Sequence, residues 1–163
     1  VERSQCDDDE TRTLCSGVSI GSSRSFEQDP RFGLVVLGEI AGKALSPGIN
    51  DPGTATQVIA SGLDLMTTWA EGPQDTIEPS HPRLFIPGLN EAEMLDDIFG
   101  PPMRYGVADA IVAVRLQKTL LSLVELGGPV GRAARLMADD ARARSLKALP
   151  PGEDRRRLRD VRR

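Results

Sequence analysis

Proline and glycine cut this chain of 163 residues into short helical lengths, and that punctuation limits its fold more than any other feature. Breaks stand at Asp29-Pro30, Ser46-Pro47-Gly48, Asp51-Pro52, Gly100-Pro101-Pro102, Gly127-Gly128-Pro129 and Pro150-Pro151-Gly152. A proline lacks the amide hydrogen that an inner helical turn needs, yet fits the first turn. Asp29 and Asp51 each precede a proline, so each is expected to cap a helix, with the proline in its first turn. Between the breaks, apolar residues recur every three or four positions. Phe32, Val36, Ile40 and Ala44 form one stripe, flanked by Leu37, Ala41 and Leu45. That helix should be central and mostly buried, and Gly38 and Gly42 should let another helix approach closely within the domain.

A second helix is expected over about 52–70, with Ala55, Ile59, Met66 and Trp69 on or near one face. Asn90 and Glu93 have the spacing of a capping box and start a third, which Gly100-Pro101-Pro102 should break or kink. Longer helices are expected over about 107–126 and 129–148, with a last charged one over 153–162. That last helix has only Leu158 and Val161 as apolar residues and cannot be stable alone. Alternation over residues 13–20 suits a short strand, and residues 83–86 are its one candidate partner. The expected fold is mainly α, with five or six helices in orthogonal or bundle packing and a small β element near the N-terminus. Its expected divisions are an acidic N-terminal segment with the strand (1–24), a helical core (25–149) and a basic C-terminal helix or tail (150–163). Aromatic residues are only 4% of the chain, so Leu, Val, Ile and Ala must build the core.

Charge is unevenly spread. Residues 1–99 hold 17 acidic against 6 basic side chains, and residues 100–163 hold 7 against 14, so the net −4 splits into −11 and +7. Arg155, Arg156, Arg157 and Arg159 give the basic end a surface suited to anionic lipid. No aromatic residue follows Tyr105, so the basic half offers no base stacking, and nucleic acid is not an expected partner. The most apolar segment, 32–45, is too short to span a bilayer and carries Glu39 and Lys43.

The chemistry-bearing residues cluster at the two Asp-Pro breaks. Glu27, Gln28 and Asp29 stand at the first, and Ser46, Asn50, Asp51 and Thr54 at the second. Carboxylates and amides in this pattern suit either helix capping or a polar-ligand or metal site. Capping is a sufficient role for Asp29 and Asp51. His81 lies between Ser80 and Pro82 in a polar loop, and no triad, phosphate loop or zinc pattern accompanies it. No cofactor, metal or catalytic residue is expected. Cys6 and Cys15 are expected to be free thiols, a hairpin disulfide being the alternative.

The runs Ser25-Phe26-Glu27-Gln28-Asp29-Pro30-Arg31-Phe32-Gly33-Leu34 and Ala44-Leu45-Ser46-Pro47-Gly48-Ile49-Asn50-Asp51-Pro52 with Thr54-Ala55 are long and unusual. They resemble the bacterial family known as domain of unknown function 2254, as do Arg104-Tyr105-Gly106 and the Leu-rich helix that follows. The resemblance covers about residues 18–160. It implies predicted membrane proteins in which transmembrane helices precede a soluble C-terminal region, and it carries no catalytic residues. On it rests the expectation of a soluble, non-enzymatic domain that assembles with or regulates its own transmembrane region, as a homo-oligomer. The expected location is the bacterial inner membrane, with the domain on the cytoplasmic side, where basic segments tend to lie. The alternative is an enzyme whose carboxylates at the two Asp-Pro helix starts bind a metal or polar ligand.

Overall fold

The computed structural model describes residues 7–17, 21–27, 29–72 and 88–161. Among them are seven α-helices: α1 (Asp8–Ser16), α2 (Phe32–Ala44), α3 (Pro52–Glu71), α4 (Glu91–Tyr105), α5 (Ala110–Glu125), α6 (Gly128–Ala148) and α7 (Glu153–Asp160). The fold is mainly helical, and the expected N-terminal β element is not found among the described residues. Residues 13–16 of the expected strand belong to α1, which Asp7 starts by accepting the Glu10 amide at 2.7 Å. Three carboxylates in its first turn favour the positive end of a helix. The local preference of Asp7, Asp8, Asp9 and Glu10 outweighs the weak alternation of Leu14 and its neighbours. Residues 18–20 and 83–86, the remainder of the strand reading, lie outside the described residues.

Side-chain caps set most helix starts. Asp51 accepts from the Thr54 amide, Asn90 from Glu93 and Asp109 from Ile111 and Val112. Each satisfies amides that have no partner within the first turn. The expected break at Gly100-Pro101-Pro102 is not found, since Pro101 and Pro102 lie inside α4 and the helix runs on to Tyr105. Pro101 leaves the Asp97 carbonyl without its amide partner four residues on. That carbonyl faces Gly38 of α2, where an added Cβ would stand 2.1 Å from it. The close approach expected of Gly38 and Gly42 is thus made to α4, with Pro101 and Tyr105 beside Gly42.

The core lies where α3, α4, α5 and α6 meet. Ile59 and Met66 of α3, Leu95, Ile98 and Phe99 of α4, and Leu120 and Leu123 of α5 are fully buried together. α6 adds Ala134 and Ala138, small residues that let it lie close to α5. α2 sits at one edge, packed on α3 and α4. Its buried residues are Leu34, Gly38, Ala41 and Ala44. The expected stripe is rotated, with Val36 half-buried and Ile40 44% exposed. Nearly every position of α2 is apolar, so periodicity alone did not select the face, and the glycines did. Trp69, expected on or near the apolar face of α3, is 39% exposed.

α7 closes against α5 and α6. Leu158 is fully buried with Leu149 and Ala113 in a second small cluster. Arg142 of α6 donates to the Arg159 and Val161 carbonyls at 2.7 and 3.1 Å, and Arg155 donates to Leu149 O at 2.6 Å. These contacts supply the partners that α7 needs.

Candidate functional site

The first motif builds the entry to α2. The Asp29 amide donates to Ser25 O at 3.1 Å, which closes a turn and aims Asp29 at the helix start. The α2 ladder begins at Phe32, with Arg31 at the cap position, so Asp29 stands two residues before the cap it was expected to occupy. Its carboxylate still accepts the Arg31 amide at 3.1 Å. Arg24 donates to the other oxygen at 2.7 Å. The Arg24 hydrogen bond is the main cause that holds Asp29 below the usual carboxylate range. Arg24 also lies 5.1 Å from the ring centroid of Phe32, whose centroid is 4.8 Å from that of Phe26. Glu27 is exposed, and Gln28 lies outside the described residues.

Arg31 carries the long-range contact of this motif. Its Nε and Nη2 reach Asp97 Oδ2 and Oδ1 at 2.6 and 3.0 Å, a two-pronged pairing across to α4. Its Nη1 also meets Glu93 Oε2. Asp97 and Glu93 thus raise the Arg31 pKa further. Glu93 and Asp97 are four residues apart on one face of α4, where they would repel without a cation between them. Asn90 does cap Glu93 as the capping-box spacing implied, while the Glu93 carboxylate turns to Arg31.

The second motif reverses the chain from α2 into α3. Ser46 Oγ donates to Lys43 O at 2.7 Å, and the Ile49 and Asn50 amides donate to Ser46 O at 3.0 and 2.9 Å. Asn50 takes φ 48°, a left-handed conformation that asparagine tolerates better than most residues. The Asp51 amide then returns to Ala44 O at 2.8 Å. Asp51 Oδ1 accepts the Thr54 amide at 3.1 Å and Oδ2 the Thr54 hydroxyl at 2.5 Å. The Thr54 hydroxyl, then its amide, hold Asp51 below the ordinary carboxylate range.

The two groups do not share a pocket. Glu27 and Asp29 stand at the start of α2, and Ser46, Asn50, Asp51 and Thr54 at its end, one thirteen-residue helix or about 20 Å apart. Among the described residues no three His, Cys, Asp or Glu side chains are grouped to hold a metal ion. His81 and Cys6 lie outside the described residues, and Cys15 is a free, exposed thiol. Sequence reasoning missed Arg31, Glu93 and Asp97. The signal was present: an arginine directly after Asp29-Pro30, and two acids four apart on the third helix.

The family described as "Predicted membrane protein (DUF2254)" matches residues 1–122. Similar curated proteins are the uncharacterized protein Mb1321c of Mycobacterium bovis and the uncharacterized protein Rv1290c of Mycobacterium tuberculosis. Each is 55% identical over 42 residues, which is 26% of this chain and 8% of the relative. The aligned part is therefore a small fraction of those relatives' length. No solved structure matches.

Proposed function

We propose, from the premise that this chain belongs to the DUF2254 family of predicted membrane proteins, that it forms a non-enzymatic domain which assembles with or regulates a membrane-spanning part of a longer protein. The observation that carries this reading is the engagement of both motifs within the chain itself. Asp29 holds Arg24 and the α2 entry, Arg31 holds α4, and Asp51 holds the start of α3. A long, specific pattern spent on joining helices supports a scaffold better than a reaction centre. No described helix is long and apolar enough to cross a membrane.

In this reading the partner is the protein's own transmembrane region in a bacterial inner membrane. The basic end supports a cytoplasmic placement. Of its arginines, Arg155 is engaged with Leu149 O and Arg157 with Glu153, which leaves Arg156 and Arg159 exposed for anionic lipid. The opposed charge of the two halves supports self-association. The test is co-expression of this chain and the membrane part of the full-length protein as separately tagged pieces. Retention of the chain on the detergent-solubilised membrane part is expected. A chain that washes off, and that stays monomeric by light scattering, overturns the reading.

A further inference from the structure

We propose that the cleft between α5 and α7 is a binding site for an anion carrying a phosphate group. The cleft has a volume of about 860 Å³, within the size range of small-ligand sites. Residues 111, 114, 115 and 118 recur every three or four positions along the outer face of α5, so Ile111, Val114, Arg115 and Lys118 line one wall. Asp154 and Arg157 of α7 line the other. Three cations from two helices therefore meet in one concave space.

The lining sets three cations against two carboxylates, and the first of these is engaged at a helix start. Asp109 Oδ1 accepts the Ile111 and Val112 amides at 2.8 and 3.0 Å, so its charge already answers the positive end of α5. Asp154 sits in the first turn of α7, whose cap position is Gly152 with no side chain to offer. Arg157 is shared with Glu153 at 2.6 Å. Arg115 and Lys118 make no ion pair among the described residues. They are exposed like charges on one helix face, and among the described residues the acids lining their cleft are Asp109 and Asp154.

Phosphate suits this arrangement because Arg and Lys bind its oxygens through charge-assisted hydrogen bonds. Ile111, 64% exposed on the same wall, adds an apolar surface beside the cations. An organic phosphate, with carbon next to its charge, would use both. The inference does not depend on the assembly reading, since a domain that fails to bind a membrane part would still carry this cleft.

The test uses the whole chain. Inorganic phosphate is titrated at constant ionic strength, with amide chemical shifts of α5 as the readout. Flotation is run with vesicles of phosphatidylcholine alone and of phosphatidylcholine with phosphatidylglycerol. Binding to at least one phosphate source is expected. Arg115→Gln with Lys118→Gln should weaken it roughly 30-fold, while Arg132→Gln, on α6 outside the cleft, should leave it unchanged. Both α5 residues are exposed, so circular dichroism should show an intact helical fold. A response to free phosphate without anionic vesicles assigns a soluble ligand, and the reverse assigns a lipid headgroup. Binding to neither source, or binding that survives the double substitution, overturns the proposal.

Discussion

Gly38 shows how one missing side chain sets the distance between two helices. A Cβ there would meet Asp97 O at 2.1 Å, and a backbone atom in the middle of a helix cannot step aside. Gly38→Ala should therefore destabilise the domain by about 1–3 kcal/mol despite alanine's better helix propensity. Gly42→Ala should cost far less, because its Cβ would meet Pro101 Cβ at 3.3 Å. Urea midpoints of the two variants, at unchanged slope, check the contrast. Gln117 makes the opposite case, being 2% exposed with an Oε1 that has no hydrogen-bond partner among the described residues. Gln117→Met keeps its length and removes that oxygen, so the urea midpoint should rise by an amount equivalent to about 1 kcal/mol. Asp51 and Asp29, whose hydrogen bonds favour the ionised carboxylate, tie stability to acid. Both folded pKa values lie below the ordinary 3.8, so their contribution is present above about pH 4 and is lost as pH falls through the folded values. Asp51→Asn still offers an oxygen to Thr54 but does not titrate. Its stability should fall less steeply than wild type between pH 4 and pH 2, measured by urea unfolding at each pH.

Helix starts were the most legible elements, because a local signal, a capping side chain or a Gly-Pro break, marks most of them. Asp51, Asn90 and the Gly127-Gly128-Pro129 break lie where their chemistry implies. Faces and interruptions were less legible, because partners far along the chain decide them. The inner face of α2 depends on α4 fitting against Gly38, and α4 continues through Pro101 and Pro102 with the Asp97 carbonyl that Pro101 leaves free lying against Gly38. Arg31 likewise gains its meaning only when residues 93 and 97 are brought beside it. α7 is the element whose dependence on the rest was clearest in the sequence. Its eight residues hold Leu158 as their one buried anchor, and among the described helices it packs on α5 and α6 alone. Leu158→Ala should cost about 2–4 kcal/mol locally. Hydrogen exchange should show α7 losing its protection while α3 and α4 keep theirs. Equal loss in all three helices would mean that α7 belongs to the central cooperative unit.

At the scale of the molecule, α2 sits at an edge with its inner side fixed and its outer side available. α3 and α4 cover Leu34, Gly38 and Ala41, whereas Ile40 is 44% exposed and Ile49, just past the helix, is 52% exposed. A scaffold that meets a membrane-spanning partner needs a surface of this kind, since apolar area removed from water drives association. The outer side of α2 therefore offers a direct check on the assembly reading. Ile40→Glu places a charge on a half-open position, so the urea midpoint should change by no more than about 0.5 kcal/mol equivalent. Leu34→Ala, on the inner side and 6% exposed, should cost about 2–4 kcal/mol and serves as the stability control. If the outer side is the docking face, Ile40→Glu should lower retention on the membrane part at least tenfold while the chain remains folded by circular dichroism. Unchanged retention would move the contact elsewhere, and the basic side formed by α5 to α7 would then be the next surface to substitute.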